Sequence, residues 1–403
     1  MNKYLFILGI VGSAFIFGCT SDDLAMVPSL EEERALIVEA SQDSDVPITL
    51  GIASSRGVTR SPLEGGGLSI PNDEFLGVFC LSTGIQSGID ASLLPTNIQK
   101  NNWRDDNTGL LVRMKNVPAK VVNGNVTFLD GEGNDPTLVK HYYYPMGNWM
   151  KYNFYAYYPR QKDSVNYKGQ DRSTIVFDKF GTYYYLLEKY FEIDGTHDII
   201  WGKANPPADN AFSAKFFFDN GSAVPPQLNF VHKLVQFRFF VKAADENVAE
   251  NVKITNMSVP NALGYLSLVI ANQNLEPVDS MKEGTIKVFG KKNVTKRLNI
   301  KQLIGEHKDE DRFDGTIGNA LEISKDEVDY ENDDPVGYLM LANPAIGKSR
   351  DENFKYELQL NWARKVGVEY VEQATPISVE LGDNFTEGQI YNIVININSS
   401  VLD

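Results

Sequence analysis

Apolar and polar positions alternate over short stretches of this chain, and turn residues separate the stretches. Phe75–Leu81, Leu110–Lys115, Val121–Phe128, Asn153–Tyr158, Thr174–Phe177 and Ala214–Phe218 are rich in β-branched and aromatic residues and read as strands. Tyr183–Phe191 fits a strand by its aromatic run and a helical turn by Leu186-Leu187-Glu188-Lys189. A boundary falls near Pro225-Pro226. Beyond it, Asn229–Lys242 reads as one long strand, with Phe237, Phe239 and Val241 alternating along one face. Asn251–Val259, Gly264–Leu268, Thr285–Val288, Val336–Leu341, Tyr356–Trp362, Ile377–Leu381 and Ile390–Asn398 follow. Short strands at regular spacing, with Gly, Pro and Asn between them and no heptads, predict an all-β chain of two tandem β-sandwiches, over 46–226 and 227–403.

The N-terminal pattern is different. Lys3 precedes Tyr4–Phe17, an apolar run of 14 residues, and then come Gly18 and Cys19. The run is short for a bilayer span and has the layout of a secretory leader over 1–18. A Cys after a small residue at the end of such a run resembles a bacterial lipobox, which makes Cys19 the expected lipidation site. Acyl chains contribute about 0.8 kcal/mol per buried methylene, so several of them anchor firmly. Thr20-Ser21-Asp22-Asp23 resembles the acidic tag that sends lipoproteins of Bacteroidetes to the outer face of the outer membrane. Residues 19–45 read as an acidic tether with one short amphipathic piece, Leu30–Val38. Val46–Ile52 alternates like a strand, and an exposed loop with Arg56, Arg60 and Gly65–Gly67 follows.

Charge sharpens this layout. The formal net charge is −15. Residues 20–45 hold eight acids and one base, and residues 301–334 hold twelve acids and four bases, so −7 and −8 account for the total. The rest of the chain is close to neutral, and 301–334 reads as a surface loop. Such a balance speaks against nucleic acid as a partner and against electrostatic docking on anionic lipid.

No constellation of catalytic groups stands out. His141, His197, His232 and His307 are far apart and form no zinc-ligand spacing. His197-Asp198 could be half of a triad, but no Gly-x-Ser-x-Gly elbow completes it. Gly65–Gly67 is followed by Leu-Ser-Ile-Pro, not by a Lys and a helix, and so is a linker, not a P-loop. Asp130-x-Glu132-x-Asn134-Asp135 and Asn332-Asp333-Asp334 read as solvated turns, with a weak cation site as the alternative. Cys80 lies in an apolar stretch and reads as a small core residue. The expectation is a chain with no cofactor, no metal and no enzymatic activity. The aromatic cluster from Tyr142 to Trp149 leaves one binding alternative: a surface glycan-binding lipoprotein, with Tyr144 and Trp149 as ligand-facing rings. Packing in the core is the default for such rings.

Several segments recur together, and in the same order, in the fimbrillin-like lipoproteins of Bacteroidales, the subunits of type V pili. The resemblance begins with the lipobox at Cys19 and a loop arginine after the first strand, here Arg56 or Arg60. It continues through Glu74–Phe79, then Tyr143-Tyr144-Pro145-Met146-Gly147-Asn148-Trp149 and Phe154-Tyr155-Ala156-Tyr157-Tyr158-Pro159. Asp198-Ile199-Ile200-Trp201-Gly202, Leu228–Val235 and Phe385–Tyr391 complete it. It implies two transthyretin-like β-sandwiches. It also implies a lipoprotein precursor cut by an Arg-specific protease, after Arg56 by preference or after Arg60. The precursor would lose Val46–Ile52 and polymerise with other fimbrial subunits by strand addition. Only Ser399–Asp403 follow the closing strand, so a tip or anchor subunit is as consistent with the resemblance as a stalk subunit.

Overall fold

The computed structural model describes residues 30–53, 75–86, 94, 96–103, 106, 108–130, 138–147, 149–161, 173–177, 183–206, 212–220, 224–273, 279–289, 295–330, 332–349 and 351–401. Cys19, Arg56, Arg60, Gly65–Gly67 and most of the Asp130–Asp135 turn lie outside them. Strands dominate, as the alternation predicts. The first ten are β1 (Asp43–Pro47), β2 (Leu50–Ile52), β3 (Leu76–Ile85), β4 (Val112–Val122), β5 (Asn125–Phe128), β6 (Tyr143–Pro145), β7 (Met150–Tyr158), β8 (Ser173–Phe177), β9 (Tyr183–Glu192) and β10 (Ile200–Ala204). The next six are β11 (Gln227–His232), β12 (Val235–Ala243), β13 (Val252–Leu263), β14 (Tyr265–Asn272), β15 (Ile286–Val288) and β16 (Thr295–Asn299). The last six are β17 (Leu321–Glu322), β18 (Gly337–Leu341), β19 (Glu357–Val366), β20 (Glu369–Glu372), β21 (Ile377–Glu380) and β22 (Ile390–Ile397). Among the described residues five α-helices interrupt them: α1 (Leu30–Ser41), α2 (Thr96–Gln99), α3 (Ala214–Asn220), α4 (Glu246–Asn251) and α5 (Pro344–Gly347).

The chain divides into two compact units. Residues up to Ile52, Val78–Tyr155 and Lys203–Leu228 make the first; Ala156–Gly202 and Asn229 onward belong to the second. The tandem arrangement expected on either side of residue 226 is therefore interleaved. The reason is β9, which pairs antiparallel with β14 from Tyr265↔Glu192 to Asn272↔Leu186 and so joins a second-unit sheet.

In the first unit the sheet closes on itself. The strand order β10-β11-β2-β5-β4-β3-β7 curls into a closed barrel, in keeping with an all-β fold. The stretch read as one strand, Val121–Phe128, is a hairpin. Asn123 and Gly124 both take positive φ (51° and 76°), the two-residue turn that matches strand twist. One carboxylate organises the entry to β4. Asp106 accepts from Thr108 N (2.9 Å), Thr108 Oγ1 (2.7 Å), Gly109 N (3.1 Å), Leu111 N (2.9 Å) and Val112 N (2.8 Å). Ala214–Phe218, expected as a strand, is helical. The Ser213 hydroxyl accepts from Phe216 N at 3.1 Å, and this cap outweighs the β-propensity of three successive phenylalanines. The tether also carries more order than one turn, because α1 buries Ile37 and Ala40 while Val38 and Glu39 face solvent.

The second unit holds three sheets: β18-β12-β22, then β16-β13-β19-β20 with β17 and β21 alongside, and β15-β14-β9-β8. The long strand expected over Asn229–Lys242 breaks at Lys233-Leu234 into β11 and β12. Phe237 and Phe239 alternate into the core as expected, and Phe237 meets Phe385 (4.8 Å between centroids), Tyr356 and Tyr391 (6.4 Å each). Residues 301–334 form an exposed, largely irregular stretch, but not a free acidic one. Glu327 binds Lys242 (2.9 Å), Glu322 binds Lys253 (2.8 Å) and Asp311 binds Lys301 (2.6 Å). Two of its acids are thus paired with lysines of neighbouring strands, Lys242 on β12 and Lys253 on β13, while Lys301 belongs to the stretch itself.

Candidate functional site: a barrel seam closed by the N-terminal segment

β2 is only three residues long, yet it completes the barrel. On one side it pairs antiparallel with β5, Leu50 opposite Val126 and Gly51 opposite Asn125. On the other it pairs parallel with β11, Gly51 opposite Gln227 and Ile52 opposite Leu228. Gly51 N donates to Pro226 O (2.9 Å) and Ile52 N to Gly124 O (3.0 Å). Without β2, β5 and β11 would face each other across an open edge. Leu50 is 2% exposed and Ile48 is buried beside it. Each such side chain stabilises by roughly 1.5–3 kcal/mol on burial. A Cβ on Gly51 would lie 2.4 Å from Gln227 Nε2 and would push the end of that side chain aside.

The segment expected as one strand over Val46–Ile52 is two short ones. Pro47 ends β1, which has no amide hydrogen to give there, and Ile48-Thr49 carries the chain across to β2. β1 pairs with β6, Asp43 opposite Pro145 and Pro47 opposite Tyr143. Beyond β6, Met146 N donates to Gln42 O and Gly147 N to Ala40 O (2.8 Å each). A Cβ on Gly147 would sit 3.2 Å from the Ala40 Cβ, so the glycine is where the end of α1 comes close. The Tyr-x-Pro-x-Gly-x-Trp segment is therefore the seat of the N-terminal segment.

One part-buried cation ties the two together. Arg113 on β4 donates through Nε to Tyr143 O (2.8 Å), through Nη1 to Ser41 O (3.2 Å) and through Nη2 to the Asp43 carboxylate. Its side chain is 13% exposed; that of Asp43 is 63% exposed. Burial holds the guanidinium below its ordinary pKa, with Tyr152 acting the other way. Sequence reasoning did not single out Arg113. Its partners lie 70 and 72 residues earlier and 30 later, a separation that leaves no local signal.

The other candidates fall elsewhere. Tyr144 is 1% exposed, its ring against Phe217 (5.3 Å), Tyr152 (6.1 Å) and Phe154 (6.3 Å). It belongs to the core, which corrects its reading as a ligand-facing ring; Trp149 is half-buried. Cys80 is buried, and desolvation pushes its thiol well up, as suits a core residue. Asp130 pairs with Lys140 at 3.2 Å. Asp198 pairs with His232, not with the adjacent His197, and accepts from the amides of Ile199 (2.7 Å) and Leu234 (3.3 Å). His197 turns to Asp194 (3.0 Å) and Thr196 (2.7 Å) through the same Nδ1, so its ring does not relay a proton between them. Lys233, next to His232, binds Glu387, and Gly388 N donates to Leu234 O (2.8 Å). Three of the recurring segments thus meet around Asp198, in the second unit, as a structural knot.

No family model matches the chain, and no curated protein matches it in sequence. Among solved structures, a proposed cell adhesion protein of Bacteroides uniformis is similar over 88% of this chain and 94% of its own, at 12% identity and a TM-score of 0.39. One from Bacteroides ovatus is similar over 88% and 92%, at 13% identity and 0.34, and one from Parabacteroides distasonis over 90% and 89%, at 8% and 0.37. Among the described residues no helix is long and apolar enough to cross a membrane.

Proposed function

We propose that the chain is a structural and adhesive subunit of a cell-surface fimbria, without enzymatic activity. In this reading it is exported as a lipoprotein held in the outer membrane by acyl chains on Cys19. An Arg-specific protease then cuts after Arg56 or Arg60. The observation that carries the reading is the position of β2. The strand that closes the barrel ends at Ile52, just before the arginine-bearing stretch. A cut there leaves the segment up to Ile52 joined to the body only by short ladders and side-chain contacts. Its departure exposes the edges of β5 and β11, whose unpaired N–H and C=O groups are a template for an extended segment of another subunit. Until the cut, the chain's own strand blocks that pairing, so assembly waits for arrival at the surface.

The test treats the full-length chain with an Arg-specific protease and follows its size. High-mass species resistant to SDS should form, and Arg56→Ala with Arg60→Ala should abolish them. A cut protein that stays monomeric, or a protein from cells that begins at neither Gly57 nor Ser61, would overturn the reading.

A further inference from the structure

Among the described residues Arg113 has three acceptors, and they belong to two different parts of the chain. Tyr143 O is on the barrel body. Ser41 O and the Asp43 carboxylate are on the segment that the proposed cut would detach. A guanidinium does not shed its charge at ordinary pH, and a part-buried one that loses two of its three acceptors is left poorly satisfied. The site that loses the segment therefore keeps a charge that asks for a replacement. Any strand can supply a backbone carbonyl where Ser41 does. Only an acidic side chain can do what Asp43 does.

We propose that Arg113 selects the strand that refills this seam: the occupant is an extended segment that brings a carboxylate to the place of Asp43 and large apolar side chains to those of Ile48 and Leu50. The inference rests on the strand-exchange reading and adds the chemistry of the partner to it. It also fixes register. Side chains alternate across a strand, so a one-residue slip carries the carboxylate to the other face and away from Arg113. The ladder alone is a weak ruler here, because β1 and β6 are in register only at Asp43↔Pro145 and Pro47↔Tyr143, with an irregularity between. A charge-assisted contact is directional and stronger than a neutral one, and supplies the missing specificity.

The experiment uses the full chain with a specific protease site placed within residues 54–60. After cutting, a fluorescent peptide of residues 41–56 is exchanged in, and its retention is compared with that of the same peptide carrying Asp43→Asn. The Asp peptide should be held roughly tenfold more tightly, the partial exposure of Asp43 limiting the gain. The ratio should shrink when salt is raised from about 0.05 to about 0.5 M. In Arg113→Gln it should fall to about one. If that variant does not fold, Glu, Asn and Ala at the peptide position are compared on the natural body, where Glu should retain more of the binding than Ala. Equal retention of Asp and Asn peptides, or undiminished discrimination in Arg113→Gln, would overturn the selection by Arg113 while leaving strand exchange intact. A cut chain that admits no peptide at all would overturn both.

Discussion

β2 and β22 are both laid parallel on a neighbour, and they are held in opposite ways. β22 runs beside β12 in unbroken register from Gln236↔Ile390 to Ala243↔Ile397. β2 meets β11 at Gln227↔Gly51 and Leu228↔Ile52 alone. Phe385 before β22 and Tyr391 at its start pack edge-on against each other (4.8 Å); Phe385 meets Phe237 edge-on and Tyr391 meets it tilted, and Tyr391 OH accepts from Thr386 N (2.9 Å). β2 has instead two apolar side chains and the clamp of Arg113 upstream. Local opening free energy follows the number of buried contacts and ladder bonds that must break together. The C-terminal strand is part of the cooperative body of its unit. The N-terminal one has a far shorter ladder and fewer buried contacts, so it opens at a lower free energy.

The largest effect should come from the well-held end. Phe237→Ala removes the ring on which Phe385, Tyr391 and Tyr356 converge and should cost about 3–5 kcal/mol, read as a lower denaturant midpoint for the second unit. The same loss should appear whether or not the chain has been cut within 54–60. If cutting alone lowers that midpoint as far as the substitution does, the contrast between the two ends collapses.

Much of this contrast was readable from sequence, and the unread part has a physical pattern. Ile390–Asn398 and Phe237-Phe239-Val241 alternate over a full strand, so period two identifies them without help. β2 is too short for any period to show. Val46–Ile52 looked continuous because Pro47 breaks the ladder without breaking the alternation. Phe216-Phe217-Phe218 looked like a strand because propensity was weighed without the Ser213 cap. The placement of β9 in the second unit depends on its pairing with a strand more than seventy residues later, Tyr265↔Glu192. The same holds for the Arg113 clamp. Local pattern reveals elements, and it does not reveal which distant elements a buried charge joins.

A smaller effect sharpens the other side. Leu50→Ala should cost about 2–3 kcal/mol at the seam. In the uncut chain that loss should show as faster hydrogen exchange at Gly51 and Ile52, whose amides bond to Pro226 O and Gly124 O, with little change in global unfolding. After cutting, the same loss should appear as release of the N-terminal segment, accelerated roughly 30- to 150-fold. Release at the natural rate would mean that the segment is not held by Leu50, and that α1 and β1 alone secure it.

The smallest expected effect separates the two units by pH. In the second unit several carboxylates are held below their ordinary range. Burial would raise Asp194 and Asp311, but hydrogen bonds from His197 and Thr196 to the first, and from Lys301 and Asn299 to the second, outweigh it. A hydrogen bond from Lys253 lowers Glu322, the Thr316 amide lowers Asp314, and Lys348 lowers Asp383. A carboxylate depressed on folding contributes stability that is present above its unfolded pKa, near 4, and is lost as pH falls from there through the folded value. The exposed pairs among these contribute little each, so the sum matters more than any one. Acid between about pH 4 and pH 2 should therefore loosen the second unit first. The four tryptophans make this measurable, because Trp103 and Trp149 lie in the first unit and Trp201 and Trp362 in the second. With either pair replaced by Phe, the fluorescence midpoint reported by Trp201 and Trp362 should sit at the higher pH, and Asp194→Asn should narrow the gap. Coincident midpoints would show that the two units unfold as one, and that the looseness assigned to β2 is confined to its own few residues.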